Sequence, residues 1–75
     1  MTVKIELKGW LGGNKTKIIT MPLPNGSTVM DAVSIIGVPF EEIGFAMLDG
    51  KVINREVHKL ADGDYVEIYP VIFGG

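Results

Sequence analysis

Only one stretch of this chain has helical spacing, and that limits the folds open to it. Val29, Ala32, Val33 and Ile36 recur at i, i+3, i+4 and i+7, so they make one apolar stripe. Ser27-Thr28 stands where the helix begins, because either hydroxyl can accept from the exposed amides of a first turn. Asp31 adds negative charge at that positive end. Gly37 is a natural C-terminal cap and Pro39 restricts Val38 to extended geometry, so the helix is short. A lone amphipathic helix cannot cover its own stripe. It must lie across one face of a sheet, which makes the chain α+β.

The remaining segments read as that sheet. Residues 2–8 alternate, with Val3, Ile5 and Leu7 on one face and Lys4, Glu6 and Lys8 on the other. Gly9, Gly12, Gly13 and Asn14 supply a loop. Residues 16–21 are β-branched and apolar enough for a second strand, and Pro22, Pro24, Asn25 and Gly26 end it. Residues 40–43 read as an irregular turn. Residues 45–48, the Asp49-Gly50 turn and Val52-Ile53 then form a second hairpin. Residues 55–60 are a connector, Asp62-Gly63-Asp64 is a tight turn, and residues 65–71 are the last strand. The expected order is strand, strand, helix, strand, strand, strand, with the order of strands across the mixed sheet left open.

With 75 residues the chain supports one domain, spanning 1–75. A chain of this length buries about 60–65% of the surface its unfolded form exposes, so the core is thin. That leaves no room for a deep substrate cavity with a supporting shell, which favours a carrier, adaptor or subunit over a free-standing enzyme. Cysteine is absent, which excludes disulfides, a thiolate metal site and a catalytic thiol. Net charge is −2 and no basic stripe appears, so nucleic acid is not an expected partner. No apolar run approaches a membrane span and no charged-then-apolar leader precedes the first strand, so the expected location is the cytoplasm.

The last strand runs directly into Val71, Ile72, Phe73, Gly74 and Gly75. Two residues without side chains let backbone and an incoming nucleotide approach a terminal carboxylate closely, so Gly75 is the candidate for chemistry performed in another protein's active site. Pro70 has no amide donor, so pairing should fail near it and residues 71–75 should project as an extended tail.

The element order, the stretch from Gly37 to Gly44, Asp49-Gly50-Lys51 and above all the ending from Asp62 to Gly75 resemble the ubiquitin-like β-grasp sulfur carriers. The likeness is to the small subunit of molybdopterin synthase and to the thiazole-synthesis sulfur carrier. It implies a mixed sheet of four to five strands with one helix packed across it. It also implies that a ubiquitin-activating-enzyme-like adenylating enzyme uses ATP to activate Gly75. A persulfide or sulfide then displaces AMP, and the resulting thiocarboxylate donates its sulfur in a larger synthase subunit or thiazole synthase. No cofactor would be bound by the carrier itself. Tyr69, Pro70, Val71, Ile72, Phe73 and Gly74 would hold the reacting end in a partner's groove. Tyr69-Pro70 inclines the reading toward molybdopterin or a related tungsten cofactor, with thiazole synthesis second. Family members often carry asparagine where this chain has Asp49, and a small residue where it has Phe73.

Two readings of other classes stand beside this one: a protein modifier joined to lysines through Gly75, and an interaction module whose tail does no chemistry. Trp10 is expected to cover an end of the core. Met47 and Leu48 lie on opposite faces of a strand, so one should face the core, and a place in an apolar partner surface is the lesser of the readings open to the other. Asp62 and Asp64 are read as turn residues, Glu41 and Glu42 as solvated charges, and His58 as a surface residue that cannot make a metal site alone.

Overall fold

In the computed structural model, which describes residues 1–13 and 16–71, β1 (Thr2–Leu7) and β2 (Lys17–Pro22) form the first hairpin, with a 3₁₀ turn, Gly9–Gly12, between them. Helix α1 (Val29–Ile36) follows, then a second 3₁₀ turn, Phe40–Glu42, and β3 (Ile43–Leu48), β4 (Lys51–Ile53) and β5 (Tyr65–Pro70). The irregular turn expected at residues 40–43 is therefore a 3₁₀ turn that leads straight into β3, which begins two residues earlier than expected.

Among the described residues the sheet has five strands, in the order β2-β1-β5-β3-β4. The last strand thus sits at the centre, parallel to β1 and antiparallel to β3. Its position follows from burial: Val66 and Ile68 are fully enclosed, as are Val3 and Ile5 on β1 beside them. Register brings Ile5 opposite Val66, Leu7 opposite Ile68 and Ala46 opposite Ile68, so the inward side chains of three strands form one layer.

Helix α1 covers that layer with Val29, Ala32 and Val33 buried and Ile36 packed at the margin, which is the stripe read from spacing. Asp31 reaches back to accept from the N–H of Thr28 at 2.9 Å, closing the first turn. Leu60, in the segment read as a connector, is also part of the core, and its N–H donates to the carbonyl of Ser27 at 2.8 Å. The Asp49-Gly50 turn joins β3 to β4 in two residues, both with positive φ, as a tight hairpin requires.

Leu11, rather than Trp10, closes the end of the core: Leu11 packs against it, whereas Trp10 is 50% exposed. The Gly9–Gly12 turn is too short to fold a large ring inward while Leu11 occupies that place. Leu48 joins the core and Met47 lies on the opposite face. Asp64 accepts from the N–H of Ala61 three residues back, which is turn chemistry, whereas Asp62 accepts from the N–H of Thr2 and ties the turn to the start of β1. Glu41 and Glu42 are exposed, and His58 is partly exposed at the surface.

Candidate functional site

The face of the sheet away from α1 is uncovered, and its tail end carries an aromatic and charged cluster. Tyr69 and Phe45 are cross-strand partners on β5 and β3, and their rings stack with centroids 4.6 Å apart and planes 10° from parallel. Lys8 lies 5.7 Å from the centre of the Tyr69 ring. The same ammonium bridges Glu6, and Glu67 at 3.2 Å, while the Tyr65 hydroxyl donates to Glu6. The Lys8 ammonium and then the Tyr65 hydroxyl hold the Glu6 carboxyl below its ordinary value. Glu6 and then Glu67 hold Lys8 above its own, and the Glu6 carboxylate raises Tyr65. A lysine set between two carboxylates on a flat face is a fixed charge pattern that a partner can read.

Pro70 ends β5 between two glycines. A Cβ on Gly9 would lie 3.2 Å from Cγ of the Pro70 ring. A Cβ on Gly44 would lie 2.6 Å from the carbonyl oxygen of Pro70 and 3.2 Å from the nitrogen of Val71. Gly44 sits where the β3–β5 register shifts between Ile43 and Phe45.

The β5 ladder ends at Pro70, as expected of a residue with no amide donor, but one backbone tie lies just beyond it. The N–H of Val71 donates to the carbonyl of Glu42 at 3.0 Å, so Val71, expected to be the first residue of a projecting tail, is half-buried and tied down. The physical reason is the register shift, which brings the Glu42 carbonyl to the first donor after the proline. Of the tail residues proposed from sequence, Tyr69, Pro70 and Val71 are placed together at this end of the sheet. Ile72, Phe73, Gly74 and Gly75 lie outside the described residues.

Sequence reasoning passed over Arg55 and Phe40. Strand β4 pairs with β3 from Ala46 to Leu48, so among the described residues the start of β3 has no strand partner on that side. Arg55, two residues past β4, donates to the carbonyl of Ile43 and more loosely, at 3.4 Å, to that of Gly44. Its guanidinium lies 4.3 Å from the centre of the Phe40 ring. The available signal was that Arg55 is the one arginine among seven basic residues. Only a guanidinium can fork between carbonyls and stack on a ring together.

The larger surface depressions lie elsewhere. One of about 460 Å³ runs along Pro24, Ser27, Asp31 and Ile35, at the Met1 end of the sheet and so opposite Pro70. Among the described residues no three His, Cys, Asp or Glu side chains are grouped to hold a metal ion. Among them, too, no helix is long and apolar enough to cross a membrane.

Known proteins share this architecture. SAMP1 of Haloferax volcanii superposes with a TM-score of 0.71 at 18% identity, over 100% of both chains. A putative molybdopterin converting factor subunit 1 of Pyrococcus furiosus gives 0.65 at 21% identity, covering 96% of this chain and 99% of that one. A chain from the complex of subunits 1 and 2 of the molybdopterin-converting factor of Helicobacter pylori gives 0.62 at 19% identity, over 100% of both. No curated protein matches the sequence. The family model described as Mut7-C ubiquitin matches residues 2–73, nearly the whole chain, with Gly74 and Gly75 just beyond the match. A five-stranded β-grasp sheet under one helix, shared with ubiquitin-like relatives and matched along almost its full length, therefore makes this chain a member of the Mut7-C ubiquitin family.

Proposed function

We propose that the protein is a sulfur carrier whose reacting group is the Gly75 carboxylate. The observation that carries this reading is the placement of Pro70 and Val71. The central strand of the sheet ends there, and a fixed hydrogen bond delivers the chain to a short segment ending in Gly74-Gly75. Beyond Val71, four residues can span at most about 14 Å, enough for a carboxylate to enter a partner's cleft while the domain stays outside.

A carboxylate is a poor electrophile. Attack of its oxygen on the α-phosphorus of ATP, with loss of pyrophosphate, gives an acyl adenylate inside the activating enzyme. Hydrosulfide then adds to the acyl carbon and AMP leaves with the carbon–oxygen bond electrons, giving a thiocarboxylate and a proton. ATP belongs to the activating enzyme, not to this chain. The acceptor would sit in a larger synthase subunit, as the two-subunit complex of the Helicobacter pylori relative suggests. We favour molybdopterin or tungsten-cofactor synthesis over thiazole synthesis. The stacked Tyr69–Phe45 pair, Pro70 and Val71 would meet that subunit.

The test is the intact mass of protein ending at Gly75 after incubation with ATP, sulfide and the host's adenylating enzyme. The expected result is replacement of one oxygen by sulfur, abolished when Gly75 is deleted. An unchanged mass, with the enzyme active on another carrier, overturns the reading. Lysine conjugates that survive denaturation would instead establish a protein modifier.

A further inference from the structure

We propose that Gly44 and Gly9 form a clamp on Pro70 that aims the tail, with Arg55 bracing the Gly44 side, and that Gly44 is a positioning residue for transfer at Gly75. The inference rests on the carrier reading above and adds the device that sets the tail's direction.

Gly44 is not required by its backbone angles, since it is absent from the positive-φ positions of the chain. Space alone requires it. Any side chain there would meet the Pro70 carbonyl oxygen at 2.6 Å and the Pro70 carbon at 3.0 Å, and both are backbone atoms that cannot swing aside. On the other side the Pro70 ring approaches Gly9, from a different element, more closely than most side chains would tolerate, at a position whose φ of +56° also favours glycine. Pro70 fixes its own φ, so holding its two flanks fixes the direction of the peptide that follows.

Arg55 holds the Gly44 side of this clamp in place. Its guanidinium fastens the carbonyls of Ile43 and Gly44 and rests on Phe40, which bound the segment whose Glu42 carbonyl receives the Val71 N–H. A sheet of this size could end its central strand with regular pairing. A register shift, two close approaches to Pro70 and an arginine tie to the neighbouring Ile43 and Gly44 carbonyls serve direction rather than cover.

The experiment compares Gly44→Ala with Gly26→Ala. Gly26 has φ +85° and open space around it, so alanine there strains the backbone without touching the tail. Hydrogen exchange of the Val71 amide and steady-state adenylation by the host's activating enzyme are measured on both, at a temperature where each is folded. For Gly44→Ala, Val71 exchange should rise at least tenfold and kcat should fall at least tenfold with KM within twofold, because the docking face is intact and only the aim is lost. Gly26→Ala should match the wild type in both.

If Gly44→Ala does not fold, Arg55→Lys serves. It keeps the charge but loses the fork and the stacking, and should lower kcat about threefold at constant KM. Protected Val71 in Gly44→Ala, or a loosened Val71 with wild-type kcat, overturns the proposal. Wild-type protein that is never adenylated overturns the carrier reading and the clamp's role in it. Val71 exchange would still report separately whether the clamp holds.

Discussion

At the scale of single residues the most consequential contacts converge on Lys8. Its ammonium is the first cause of the depressed Glu6 carboxyl, ahead of the Tyr65 hydroxyl. A depressed carboxyl adds stability that is fully present above its ordinary 4.5 and is lost as pH falls through the lower folded value. Lys8 and Tyr65 are raised, so their share is full below 10.5 and 10.0 and is lost as pH rises through their folded values. The cluster therefore contributes across the neutral range, modestly, because it is open to solvent and screened by salt. In Lys8→Met the Glu6 carboxyl should titrate closer to 4.5, still held down in part by Tyr65. A carboxyl-carbon NMR titration of Glu6 reads this directly, and an unchanged Glu6 would show that Lys8 does not set it.

Elements are joined in this domain by caps and carbonyl ties as much as by strand ladders. The first turn of α1 is held by Asp31 from within and by the Arg55 carbonyl from outside, which accepts from Met30 N–H at 3.0 Å. One residue thus links the helix to the start of β3, its backbone on one and its side chain on the other. Asp31→Ala leaves the Thr28 N–H without its acceptor and should cost about 1 kcal/mol in urea unfolding. The helix itself was legible in advance, because spacing, capping residues and a terminal glycine agree locally. The tie through Arg55 was not, because it joins the segment after β4 to the start of β3 through a fold the sequence does not state.

Across the whole molecule, stability rests on a thin layer of side chains between one helix and five strands. Ile5 is completely buried, opposite Val66 on one side and Ile19 on the other. Ile5→Ala should cost about 2–5 kcal/mol. For a domain whose total is about 5 kcal/mol, that should leave much of the population unfolded at 25 °C, measured by the loss of the urea baseline. Ladder and core thus depend on each other more than in a larger domain. The uncovered face, with Phe45, Tyr69 and the Lys8 cluster, is left free by this economy of layers.

Local pattern was enough to determine a great deal. Alternation, helix spacing, caps and two-residue turns are short-range properties, so the α+β class, the helix at Val29–Ile36, the Asp49-Gly50 hairpin and the Asp64 turn could be read from neighbouring residues, whereas the tie from Asp62 to Thr2 could not. The diglycine ending and its likeness to carriers were also on the surface of the sequence. Only the tertiary structure decided that the last strand would enter the centre of the sheet, parallel to the first. Such pairing depends on which residues across the chain best exclude water together, which no local window contains. The clamp at Pro70 followed from that choice: Gly9 and Gly44 come from separate segments and flank Pro70 because the central strand ends between them, and Arg55, from a third segment, braces the Gly44 side.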